Sequence, residues 1–126
     1  MKLTRYHALK ILEWCQLEYG DSKYNSYDLE LAFHKPTYLT EGLLGEYDPI
    51  ENTIFINSKD HETLEELCKT VIEEYWHYLK DDEEYQDLYN SYDYDDHPHE
   101  AEAKAAAESD WERCLEDLKA SYKQFT

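Results

Sequence analysis

The chain has 126 residues, enough for one compact domain and too few for two domains with separate cores. Its 30 Asp and Glu residues outnumber its 12 Lys and Arg residues, so the net charge is −18. This field repels nucleic-acid phosphates and anionic lipids, which argues against direct nucleic-acid binding and leaves a basic protein, a cationic peptide or a metal ion as the expected partner. Mimicry of the charge of DNA toward a DNA-binding protein also stays open.

The cysteines and the hydropathy pattern predict a cytoplasmic protein. Cys15, Cys68 and Cys114 are odd in number, widely spaced and without a Cys-x-x-Cys pair, as expected for reduced core thiols. The N-terminal stretch carries charges and has no cleavage site of small residues, and no apolar run approaches 18 residues. We therefore expect neither secretion nor a membrane span.

The first half of the chain predicts a helix followed by a small antiparallel sheet. Apolar residues recur at helical spacing over residues 2–19, and Gly20 is a typical helix end. Alternating stretches at 28–33 and 43–47 favour strands, and the turn residues that follow predict a hairpin between 43–47 and 53–56.

Two long helices are predicted in the second half. Residues 61–80 carry an apolar stripe, with helix-capping candidates over 57–60 and with Glu66, Glu73 and His77 on the opposite face. The acidic stretch 81–98 is typical of a solvated loop, and the last helix spans about 98–122, with Glu100 on the side of its apolar stripe. Together these elements predict a single α+β domain over residues 1–126.

The segment Glu73-Glu74-Tyr75-Trp76-His77 is the best candidate for chemistry. Residues four apart on a helix project together and can hold one metal ion, while the carboxylate after the first ligand can act on a metal-bound water. A solvated helix face is the alternative interpretation, in which Glu73 pairs with a nearby lysine and Glu100 favours the helix N-terminus.

With the sequence His97-Pro98-His99-Glu100-Ala101-Glu102-Ala103 about two dozen residues later, the chain resembles the zincin-like metallopeptidases, in particular small single-domain proteins of phage type. Their motif is His-Glu-x-x-His, which reads Glu-Glu-x-x-His here. The resemblance covers roughly residues 40–110, and it would place a phage-encoded protein in the host cytoplasm.

The resemblance implies a role for each matching residue. Glu73 and His77 would be the first two ligands of zinc or another divalent metal, Glu74 the general base, and Glu100 the third ligand, with Glu102 in reserve. A polypeptide would be the substrate. Because Glu73 replaces a histidine and Lys104 stands where Asp or Asn follows the alanine, a degenerate acidic binding or inhibitory protein is the alternative.

Overall fold

The computed structural model describes residues 2–26, 28–34, 44–59, 61–80 and 98–126. The predicted acidic connection over 81–97, including His97, and the predicted strand residue Leu43 lie outside these ranges. The fold is α+β, as predicted, with three helices, three strands and a short 3-10 turn among the described residues. In chain order these are α1 (Arg5–Tyr19), β1 (Glu30–His34), β2 (Gly45–Asp48), β3 (Thr53–Asn57), α2 (Leu64–Lys80), α3 (Pro98–Ser121) and the turn Lys123–Phe125.

The three strands form a mixed sheet in the order β1-β3-β2. The predicted hairpin is confirmed, because β2 runs antiparallel to β3 with Gly45 opposite Ile56. The prediction of a wholly antiparallel sheet is wrong, since β1 runs parallel to β3 with Glu30 opposite Thr53. The chain crosses from β1 to the far edge of the sheet before β3 returns between the two, and this crossover gives β1 and β3 the same direction.

The hairpin turn is fixed by the polar residues that predicted it. Asp48 Oδ1 accepts a hydrogen bond from the Ile50 amide at 2.9 Å, and Asn52 adopts the left-handed conformation with φ of 50°. The Asn52 side-chain amide also donates to the carbonyls of Ser26 and Asp28, at 2.8 and 3.0 Å. The turn is thereby tied to the segment that leads into β1.

Helix α2 begins later than its sequence pattern predicts. The amide of Glu66 donates to Thr63 Oγ1 at 3.1 Å, so Thr63 caps the helix. The prediction of a cap within 57–60 is wrong because Asn57 ends β3, where its side-chain oxygen accepts the Lys59 amide at 3.0 Å. The chain must turn away from the sheet before it can start a helix.

The core lies where α2 packs against the sheet on one side and against α1 and α3 on the other. The alanines of α3 that face α2 are fully buried and let the two helices approach closely (Ala103 and Ala107). All three cysteines are free and buried, which confirms their prediction as core thiols. None of the described helices is both long and apolar enough to cross a bilayer.

Candidate metal and acid–base site

His77 of α2 and Glu100 of α3 meet in the interface between the two helices. His77 Nε2 lies 2.9 Å from Glu100 Oε2, and the two side chains are only 4% and 3% exposed. The alternative interpretation, in which His77 lies on a solvated helix face, is wrong, because α3 covers this side of α2. The predicted phase of α3 is confirmed, since Glu100 is buried whereas Glu102 is exposed.

Glu74 lies beneath the edge strand β2. It is 4% exposed, and its Cγ atom lies 3.3 Å from the position that a Cβ on Gly45 would occupy. The same hypothetical Cβ would be 2.8 Å from Thr70 Cγ2, which is closer than real Cβ contacts allow. Glycine at position 45 thus lets β2 pass directly over the part of α2 that carries the predicted general base.

Glu73 is less buried than Glu74 and belongs to the same electrostatic cluster as His77 and Glu100. Burial raises the pKa of Glu73, and the neighbouring charge of Glu100 raises that pKa further. Lys104 and His77 act in the opposite direction and lower it. A cation placed among these groups would therefore relieve the repulsion between the two carboxylates.

These side chains border a pocket of about 290 Å³ between β2, α2 and α3. Its lining contains four carboxylates and two lysines, together with residues of the edge strand: Leu44, Gly45, Glu66, Lys69, Thr70, Glu73, Glu74, Glu100 and Lys104. Lys69 is held by Glu65 at 3.2 Å and by Glu108 at 3.1 Å. The sequence patterns did not predict that Gly45, Thr70 and Lys69 line this pocket, because only the packing of β2 on α2 brings them there.

His61 is a further residue of this region that the sequence patterns did not single out. Its Nδ1–H donates to the Asn57 carbonyl at 2.7 Å, and its Nε2 lies 2.8 Å from Thr70 Oγ1. The buried ring thus connects the end of β3 to the helix turn that precedes Glu74. The sequence signal for His61 is its position between a predicted strand and the first turn of a predicted helix. Its partner on α2, Thr70, is known only from the fold.

The chemistry of the His77–Glu100 pair suits a divalent metal. The two atoms, His77 Nε2 and Glu100 Oε2, are hydrogen-bonded at 2.9 Å, whereas a tetrahedral zinc ion with bonds of about 2.0 Å would place two donor atoms about 3.3 Å apart. An imidazole nitrogen and a carboxylate oxygen are both zinc donors. Within the described part of the chain, no group of three or more His, Cys, Asp or Glu side chains is arranged to hold a metal ion. The pair thus fits two ligand positions, and Glu73 stays a predicted third.

Comparison of the chain with protein-family models, with curated proteins and with solved structures gives no match. The interpretation of the site therefore depends on its residues and their geometry.

Proposed function

We propose that this chain is a zincin-like, metal-dependent peptidase. The observation that supports this most strongly is the buried His77–Glu100 pair, contributed by two different helices and located beside Glu74 under an edge strand. Each of these residues matches a position of the motif by spacing. Glu74 and Glu100 line one pocket, and His77 contacts Glu100.

The proposed roles follow from the positions of the side chains. His77 and Glu100, with Glu73 as the third ligand, would hold zinc or another divalent ion. The bound ion would supply a water molecule of lowered pKa. Glu74 is the general base that takes a proton from water in the pocket and returns it to the leaving amine. Its burial beneath β2 limits the number of orientations that its carboxylate can adopt.

Strand β2 would position the substrate. It is an edge strand of the sheet that the structure describes, and an edge strand is a typical site for pairing with an extended peptide. Leu44 and Gly45 line the pocket at this edge. The net charge of −18 favours a basic peptide, because it attracts cationic chains from a distance.

The proposal is tested by zinc titration of the metal-free protein and by peptidase assays on unstructured basic peptides. We expect one zinc ion per chain and at least about a tenfold loss of affinity in Glu100→Ala, which removes a ligand. Glu102→Ala, at the exposed carboxylate on the same helix, is the matched control and should bind zinc as the wild type does. Glu74→Gln should keep the metal and lower kcat by about 10²–10⁴-fold.

Equal zinc affinity in the wild type, Glu100→Ala and Glu102→Ala would contradict the metal assignment. Full turnover in Glu74→Gln would contradict the proposed base instead.

A second candidate function is a degenerate zincin-like domain that binds or inhibits a basic protein, including by DNA mimicry. Two observations favour it: a glutamate occupies the first ligand position, and only two predicted ligands are in direct contact among the described residues. This alternative predicts no stoichiometric zinc in the wild type and a gain of zinc affinity in Glu73→His. It also predicts partner binding that weakens as salt concentration rises.

A further inference from the structure

A second pocket, of about 320 Å³, lies between the C-terminal turn of α2 and the segment that follows α1. It shares no lining residue with the candidate metal site. Its lining combines three aromatic rings, two lysines, one aspartate and one leucine: Tyr19, Asp21, Lys23, Tyr24, Trp76, Leu79 and Lys80.

Hydrogen bonds hold the two walls of this pocket together. Ser22 Oγ donates to the Leu79 carbonyl at 3.2 Å, and Asn25 Nδ2 donates to the Tyr78 carbonyl at 2.8 Å. These bonds satisfy carbonyl groups in the last turn of α2, which have no partner within the helix. On the other side, the Tyr19 hydroxyl donates to Asp110 Oδ2 at 2.6 Å. The pocket is therefore a fixed part of the fold.

The charge of this pocket differs from that of the chain as a whole. Two lysines and one aspartate give its lining an excess of positive charge, while the chain carries a net charge of −18. Neither Lys23 nor Lys80 forms an ion pair with any residue in the described ranges, whereas Lys10, Lys69 and Arg113 do. The pocket thus offers two ammonium groups to an anionic ligand.

The aromatic side chains offer a flat apolar surface. The rings of Tyr19 and Trp76 are perpendicular, with centroids 5.3 Å apart, and the Tyr24 side chain is 60% exposed at the rim. Trp76 Nε1 is buried and has no hydrogen-bond partner in the described part of the chain. This nitrogen is closed to solvent, so Trp76 contributes ring surface to the pocket and not its N–H group.

From these observations we infer that the pocket binds a small aromatic carboxylate. The ring of the ligand packs against Trp76, Tyr24 and Leu79. Its carboxylate lies between Lys23 and Lys80. A free aromatic acid and the C-terminal aromatic residue of a peptide share this chemistry.

The test is an NMR titration of the ¹⁵N-labelled full chain with N-acetyl-L-phenylalanine, with the Trp76 indole signal assigned by its loss in Trp76→Phe. The uncharged probe N-acetyl-L-phenylalaninamide has the same ring without the carboxylate. We expect the Trp76 signal to shift with the acid and the amide to bind about fivefold more weakly, the size typical of a partly exposed charge pair.

The double substitution Lys23→Gln/Lys80→Gln should weaken binding of the acid to the level of the amide, whereas Lys119→Gln, at an exposed lysine outside this pocket, should not weaken it. The peptide acetyl-Gly-Gly-Phe distinguishes a free aromatic acid from a peptide C-terminus as the natural ligand. It should bind as well as N-acetyl-L-phenylalanine only if the pocket accepts a peptide C-terminus. Equal affinity for acid and amide, or no shift of Trp76 at the solubility limit of the acid, would overturn the inference. These outcomes are independent of zinc binding.

Discussion

Gly45 is the residue at which β2 comes closest to α2, and any side chain there must displace one of them. A Cβ atom would be 2.8 Å from Thr70 Cγ2 and 3.1 Å from the Phe55 carbonyl oxygen. We expect Gly45→Ala to lower the free energy of unfolding by about 1–3 kcal/mol, because the backbone contact cannot give way as a flexible side chain would. Urea denaturation followed by circular dichroism measures this change.

Gly20→Ala is the control for Gly45→Ala. Position 20 favours glycine because its φ is 80°, a conformation that other residues rarely adopt. No heavy atom lies within 4 Å of a hypothetical Cβ at this position. Gly20→Ala should lower the free energy of unfolding by about 1 kcal/mol, because of the backbone conformation alone. It should leave zinc affinity unchanged. If Gly45→Ala were as stable as the wild type, the close passage of β2 over Glu74 would be incorrect.

Tyr19 should make the protein sensitive to alkaline pH. Its hydroxyl donates to Asp110, and burial, with this hydrogen bond as the second cause, raises the pKa of Tyr19 above its usual value of 10.0. The unfolded chain then loses this proton at lower pH than the folded chain does, so the contribution of Tyr19 is complete below pH 10 and is lost above it.

We expect Tyr19→Phe to cost about 1 kcal/mol at neutral pH, the usual contribution of one hydrogen bond. Its difference from the wild type should shrink above pH 10, in urea denaturation curves recorded across the pH range. Tyr24→Phe, at an exposed tyrosine, should show no comparable loss at neutral pH. A constant difference at all pH values would rule out the role assigned to the Tyr19 hydroxyl.

At the scale of single residues, helical periodicity predicts the burial of Glu100 but not the burial of His77. The 100° step of a helix distinguishes Glu100 from Glu102, because only one of them lies on the side of the alanines. Periodicity places His77 opposite the apolar stripe of α2, which allows either a solvated face or a polar interface. Its burial depends on a second helix that covers a polar face, and a polar interface has no hydrophobic signature in the sequence.

At the scale of elements, local turn chemistry predicted the hairpin but could not predict the direction of β1. The residues around Asp48 and Asn52 specify a tight reversal, and the chain follows it. The sequence of β1 itself does not specify which strand it pairs with or in which direction. The alternation of polar and apolar residues is the same in parallel and antiparallel strands when one face is buried.

The close packing of α2 on α3 depends on small side chains. Ala103 is fully buried between the helices, whereas Ala105, half a turn away, is exposed. We expect Ala103→Leu to reduce the free energy of unfolding by about 1–3 kcal/mol, because the added carbons have no space. It should also separate His77 from Glu100 and weaken zinc binding, as measured by competition with a chromogenic chelator.

Ala105→Leu introduces the same atoms on the exposed side of α3 and should change stability by no more than about 0.5 kcal/mol. Equal effects of the two leucines would mean that α3 does not pack on α2 through Ala103.

At the scale of the whole molecule, the charge of −18 opposes folding, because a compact chain brings like charges together. We expect the melting temperature to rise by several degrees as KCl is increased from about 20 mM to about 500 mM, since salt shortens the range of repulsion. Replacing the exposed Glu112 and Glu116 by Gln should reduce this dependence. A melting temperature that is constant or falls with salt would show that ion pairs outweigh the repulsion.

The mixed sheet also has a consequence for the order of folding. Pairing β2 with β3 closes a short loop across Asp48 and Thr53, whereas pairing β1 with β3 closes a much longer one. Loop closure costs more entropy as the loop lengthens, so the hairpin and the adjoining α2 form from a continuous stretch of chain before β1 docks. The walls of the candidate site contributed by β2 and α2 are thus assembled early, and Glu100 joins them only when α3 packs.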